Sequence, residues 1–132
     1  MDNLLRRLKK HEGLMVMPYL CPAGYLTIGY GHRLPITERQ AEAILIEDVY
    51  KVSDQYMKWK GRNKLKLSQT RDEVLMELLF WHGFQGFKGF KRMISALKRE
   101  DYETAADEML DSNSGRNYPT RMYELSVLMR DG

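Results

Sequence analysis

Glu12, Cys21 and Thr27 stand close together near the start of the chain, with His32 a few residues further on. A carboxyl group can give or take a proton, a thiol can ionise, and a hydroxyl can hold a water molecule. Glu12 and Cys21 are separated by eight residues, Cys21 and Thr27 by five. Glu12 lies on the helical face defined by Leu4 and Leu8. A carboxylate there is either an exposed rim residue at a frayed helix end or an acid set into a cleft. The last turn of a helix disfavours negative charge. That, together with partial burial, would favour the protonated form, which suits a general acid. Cys21 is the only cysteine, so no intramolecular disulfide is expected, and its plainer reading is a small buried filler. His11, His32 and His82 lack a second ligand at suitable spacing. Neither a metal site nor a cofactor is expected.

The elements that must position these groups are a helix end and a hairpin. Asp2 or Asn3 can cap a helix over Asn3–Glu12, and Gly13 can stop it. Extended segments Met15–Leu20 and Tyr25–Tyr30 flank Pro22-Ala23-Gly24, a tight-turn sequence. Thr37 and Gln40 form a capping box for a helix carrying Ala41, Ile44, Leu45, Val49, Val52 and Tyr56. Running to Lys58, it would span roughly 33 Å at ~1.5 Å per residue. That length suits a rod between a small lobe and a larger one. Lys58–Lys66 reads as a basic loop around Gly61.

Ser68 caps a helix with Val74, Leu75, Leu78 and Leu79 inside, ending near Gly83. Phe80 to Phe90 interleaves aromatics with glycines and lysines. This is either a stacking platform for sugars or bases, or core aromatics with tight connections; for Phe90 the core is favoured. Met93, Ile94 and Leu97 continue an amphipathic helix, and Asp101 caps the next. A polar loop is predicted over 111–117, and Pro119 opens a last helix with Met122, Leu125 and Met129. The fold class is therefore α+β, mostly α, with one small hairpin.

At 132 residues the chain makes one domain. Its 43% hydrophobic and 30% charged residues are ordinary for a soluble globular protein. The N-terminus has no apolar secretory segment, and no run is long enough to span a membrane. Synthesis in the cytoplasm is expected. Net charge of +3 and a pI near 9.0 favour anionic partners without choosing among them.

The ordered string from Glu12 through Cys21 and Thr27 to Gly29-Tyr30-Gly31-His32 resembles the phage-type lysozymes of glycoside hydrolase family 24. Their pattern is Glu-x8-(Asp or Cys)-x5-Thr, closed by Gly-x-Gly-His. The resemblance continues through Ile36-Thr37, Gln40-Ala41-Glu42, Leu67-Ser68, Asp72, Phe80, Gly83, Gly89-Phe90, Pro119, Arg121 and Glu124. It implies a lysozyme-like fold: a hairpin lobe over 13–36, a connecting helix over 37–58, and a helical lobe from 59–132 with 1–12 packed back on it. It also implies a peptidoglycan muramidase, an endolysin. Glu12 matches the catalytic acid, and Cys21 stands where many members have Asp. Thr27 matches a residue beside the attacked face of the sugar. Arg121 matches an arginine paired with the acid, and His32 a histidine bridged to Asp48, a structural pair. Tyr19, Tyr30, Phe80 and Trp81 are candidate sugar contacts.

Only four residues separate His32 from Thr37, so the lobe should be little more than a hairpin, with part of the cleft wall missing. Trp81 replaces the family's usual Asn or Gln, and Ser114 falls near a common core tryptophan. The resemblance further implies an inverting reaction in which Cys21 and Thr27 position the water. A free thiol has a pKa of about 8.5, so Cys21 is either ionised or hydrogen-bonded enough to serve, or filler with Thr27 alone holding the water; a third reading makes it a covalent nucleophile, giving retention. Family lifestyle implies action on the wall after a holin-type partner opens the membrane; a monomer with no nucleic-acid partner and no stable membrane insertion is expected. The competing reading is a catalytically inactive peptidoglycan-binding relative.

Overall fold

The computed structural model describes residues 1–132. Seven helices and three strands follow one another as α1 (Asp2–Glu12), β1 (Met15–Leu20), β2 (Leu26–Gly29), β3 (His32–Arg33), α2 (Glu38–Arg62), α3 (Gln69–Lys88), α4 (Lys91–Lys98), α5 (Tyr102–Leu110), α6 (Asn113–Asn117) and α7 (Pro119–Asp131). Helix accounts for 69% of the chain, as the α+β, mainly helical reading requires. No helix is long and apolar enough to cross a membrane. The chain forms two compact units, Met1–Ile44 and Leu45–Gly132, with α2 crossing the boundary.

The first unit is α1 and a three-stranded antiparallel sheet in the order β1-β2-β3. The expected turn is present: the Gly24 N–H donates to the Cys21 carbonyl at 2.8 Å, and the Cys21 N–H donates to Tyr25 O at 2.9 Å. Tyr19 faces Thr27 across β1 and β2, and Met15 faces Gly29 beyond an irregularity in register. The residue pattern predicts a bare hairpin; the structure adds β3, which sets Thr27 opposite Arg33 and Ile28 opposite His32. Gly29 and Gly31, both at positive φ, turn the chain from β2 into β3.

The second unit contains a core built on Tyr56, Trp59, Leu75, Leu78, Phe87, Met93, Leu97, Met109, Met122 and Met129. Three predicted caps are made. The Thr37 hydroxyl accepts from the Gln40 N–H while the Gln40 side chain accepts from the Thr37 N–H. Ser68 accepts from the Arg71 N–H, and Asp101 from the Thr104 N–H. Each satisfies a helix-end donor that otherwise lacks a partner.

Two predicted loops are partly helical. α2 runs through Gly61 to Arg62, because Lys and Arg are good helix formers and one glycine costs only about 1 kcal/mol. Within 111–117, Asn113–Asn117 forms α6, capped by the Ser112 hydroxyl, which accepts from the Gly115 N–H. Gly115 is buried there; a β-carbon would collide with the carbonyl oxygens of Met109 and Leu110. α3 does break at Gly83 (φ 72°, ψ 169°) but resumes to Lys88. Phe90 and Phe84 pack against the core, as does Trp81, whereas Phe80 is exposed.

Candidate functional site

In the first unit, the end of α1 meets the β2–β3 turn. Gly31 adopts φ +73°, and a methyl group on its Cα would lie 2.8 Å from Glu12 Oε2 and 3.1 Å from its carboxyl carbon. The bare backbone of Gly31 is thus what lets the Glu12 carboxylate lie against this turn. Of the two readings of Glu12, the structure has the exposed helix-end residue, without the partial burial that the cleft reading needs. Its side chain is exposed, as are Leu4 and Leu8 on the same stripe, and α1 buries no residue. The spacing of apolar residues specified the face but not its cover.

Cys21 sits at the first position of the hairpin turn, half-buried. Its thiol is pulled below the ordinary thiol range, chiefly by hydrogen bonding from the Tyr25 backbone. Burial opposes this, while the Ala23 backbone and the positive charge of Arg33 reinforce it. A turn directs successive N–H groups toward one point, which favours an anion there. Thr27 is buried, and its hydroxyl donates its single proton to Tyr25 O at 2.8 Å. With that proton engaged, the hydroxyl has none to donate to the sulfur, so the thiolate rests on the backbone N–H groups and Arg33. The Arg33 guanidinium lies 4.3 Å from the Tyr25 ring centre, and the Lys9 ammonium 5.6 Å from that of Tyr30. Tyr30 is exposed and Tyr19 half-buried; His32 is exposed on β3.

The other candidates lie in the second unit. Arg121, at the start of α7, is held twice. Its Nε donates to Glu77 Oε2 at 3.0 Å, and its guanidinium lies 4.1 Å from the Trp81 ring centre. Trp81 is itself edge-on to Tyr118 at 5.6 Å. Asp48 is half-buried on α2. The structure thus brings Glu12, Cys21 and Thr27 into one unit and Arg121, Trp81, Phe80 and Asp48 into the other.

The phage lysozyme family profile matches residues 9–122, which include Glu12 and Arg121. The chain belongs to the phage lysozyme family. An endolysin of Acyrthosiphon pisum secondary endosymbiont phage 1 is 32% identical to it over 109 residues, covering 78% of this chain and 72% of that protein.

Three contributors carried little or no signal in the sequence. Gly31 was visible only as part of a motif; its contact with Glu12 is tertiary. Glu77, the carboxylate that Arg121 pairs with, carried no signal beyond its place on an exposed helical face. Arg33 could have been suspected, since a cation next to a glycine-rich turn and near a lone thiol is electrostatically notable.

Proposed function

We propose that this chain is a peptidoglycan muramidase, hydrolysing the β-1,4 link between N-acetylmuramic acid and N-acetylglucosamine. The observation that carries this reading is the first unit's arrangement: Glu12 against the Gly31 backbone, and on the same small sheet a thiol with lowered pKa beside Thr27.

Glycoside hydrolysis needs a proton for the leaving oxygen and support for an oxocarbenium-like carbon and its attacking water. In this reading Glu12 donates the proton. The Cys21 thiolate offsets positive charge at the sugar carbon, the task a carboxylate performs in relatives with Asp. Thr27 has spent its own proton on Tyr25, so it accepts a hydrogen bond from the water and turns an oxygen lone pair toward the carbon. The water attacks the face opposite the departing oxygen, giving up its proton to the Cys21 thiolate as the new C–O bond forms, and the product is inverted.

The reading also pairs Arg121 with Glu12, and His32 with Asp48. It groups α1 with the helical lobe and assigns sugar contacts to Tyr19, Tyr30, Phe80 and Trp81. The substrate is the bacterial wall and the enzyme acts as a monomer. Made in the host cytoplasm, it reaches the wall once a holin-type partner opens the membrane.

The test is release of new reducing ends from purified, protein-free peptidoglycan by wild type, Glu12→Gln and Cys21→Ser. Wild-type release that Glu12→Gln lacks, with both proteins folded, supports the acid assignment. Release retained by Glu12→Gln refutes it. Wall binding by folded wild type without release identifies a non-catalytic relative.

A further inference from the structure

The second unit holds a cavity of about 530 Å³ lined by His82, Ser114, Phe90, Lys91 and Arg92. None of Glu12, Cys21 or Thr27 borders it. We propose that His82 and Ser114 form a second reactive centre there, an acyl-transfer site that hydrolyses short-chain carboxylic esters. This does not depend on the muramidase reading.

The geometry begins with α3, which breaks immediately after His82 at Gly83. His82 Nδ1 lies 2.9 Å from the Leu78 carbonyl oxygen. That oxygen can only accept, so Nδ1 carries the ring proton and Nε2 presents a lone pair. Nε2 lies 2.5 Å from Ser114 Oγ, so the serine hydroxyl donates to the imidazole. Nucleophile, base and a group orienting the base are thus in line, the requirement for an activated hydroxyl. The ring is held in place. The Trp81 ring centre is 4.4 Å away, the Phe90 ring meets it edge-on at 5.0 Å, and a β-carbon on Gly86 would come within 2.9 Å of His82 Cβ. Lys91 and Arg92, which enter no ion pair, border the same cavity, as do the carboxylates of Glu108 and Asp111.

In the first step Ser114 Oγ bonds to the ester carbonyl carbon while its proton passes to His82 Nε2. The tetrahedral intermediate collapses, the carbon–alkoxy bond breaks, and the alcohol leaves with the proton from Nε2. The acyl group now rests on Ser114. Water then attacks the acyl carbon and gives a proton to Nε2. That proton returns to Ser114 Oγ as the carboxylic acid departs, restoring the starting state.

A serine–histidine hydrogen bond that only ties α3 to α6 would leave the same distances, and the experiment separates the two. The full chain is incubated with p-nitrophenyl acetate, and nitrophenol release is compared with that from free imidazole at equal concentration. Intact-mass and peptide mapping look for an acetyl group on Ser114. Wild type should exceed imidazole by about 100-fold or more, the usual contribution of a positioned base. Ser114→Ala and His82→Ala should fall to the imidazole background. Ser114→Cys should still become acylated, which guards against loss of fold as the explanation. A wild-type rate no better than imidazole overturns the proposal. So does a Ser114→Ala rate per folded molecule equal to wild type, or acetylation mapping elsewhere.

Discussion

Replacing Gly31 by alanine tests whether the β2–β3 turn sets the position of Glu12. Two effects combine at this site. Gly31 has φ +73°, where an L-residue costs about 1–2 kcal/mol. In addition, the new methyl would lie 2.8 Å from Glu12 Oε2, whereas ordinary contacts begin near 3.4 Å, so the carboxylate must retreat by at least a few tenths of an ångström. Gly29 is the matched control. It has φ +68° in the same segment, but nothing lies within 4 Å of the point where its β-carbon would stand. Gly29→Ala therefore carries the backbone cost without the displacement. Both variants should lose about 1–2 kcal/mol in urea unfolding. A displacement approaching 1 Å at a reacting group can cost on the order of 100-fold in rate, so Gly31→Ala should lose roughly 10- to 100-fold in reducing-end release while Gly29→Ala stays within a few-fold of wild type. Equal activity losses in the two variants, or wild-type activity in Gly31→Ala, would refute the positioning role.

Three other measurements address different parts of the molecule. If the Cys21 thiolate serves catalysis, wild-type activity should rise with pH through a point below the ordinary thiol range, because hydrogen bonding from the Tyr25 backbone lowers its pKa; Cys21→Asp should remove that rise, and a rise surviving in Cys21→Ser would assign it elsewhere. Phe87 is fully buried and edge-on to Trp59 at 4.8 Å, so Phe87→Ala should cost about 3–5 kcal/mol in chemical denaturation, whereas the exposed Phe80→Ala should cost well under about 1 kcal/mol. Asp101 has a folded pKa depressed by hydrogen bonding from Thr104, with Arg99 adding to the effect. Its contribution is therefore present above the unfolded carboxyl value of about 3.9 and is lost as pH falls through the lower folded value; Asp101→Asn should narrow the gap in Tm between pH 7 and acid, and an unchanged gap would deny the linkage.

The parts of the fold legible in sequence were those fixed within three or four residues. Ser68, Asp101 and the Thr37–Gln40 box announce themselves because an N-cap bonds a donor two or three positions on. Pro22-Ala23-Gly24 specifies its turn for the same local reason. β3 was illegible because two residues carry no periodicity; its pairing with β2 comes from the positive-φ glycines that reverse the chain. α6 was illegible because Asn, Ser and Gly are weak helix formers; the Ser112 cap and the close fit of Gly115 sustain it. At the site, residue types and spacing named Glu12, Cys21 and Thr27, but not Gly31 or Glu77, whose roles arise from contacts between distant parts of the chain.

Cys21 shows how a local fold can change what a side chain is able to do. In water a thiol is mostly neutral near pH 7, so in place of a carboxylate it would offer little charge to an electron-poor carbon. The turn alters that balance through backbone geometry: the Tyr25 and Ala23 backbones hydrogen-bond to the sulfur, and the Tyr25 backbone favours the thiolate more strongly than burial disfavours it. Arg33 adds to the effect because β3 sets it opposite Thr27, so the strand that was invisible in sequence also tunes the thiol. An aspartate at this position would be ionised without such help. The Tyr25 backbone and Arg33 should therefore matter more in this chain than in relatives carrying Asp. Arg33→Gln accordingly should move the pH–activity rise upward in wild type and leave the Cys21→Asp profile unchanged; a shift of equal size in both backgrounds would show that Arg33 acts on another group.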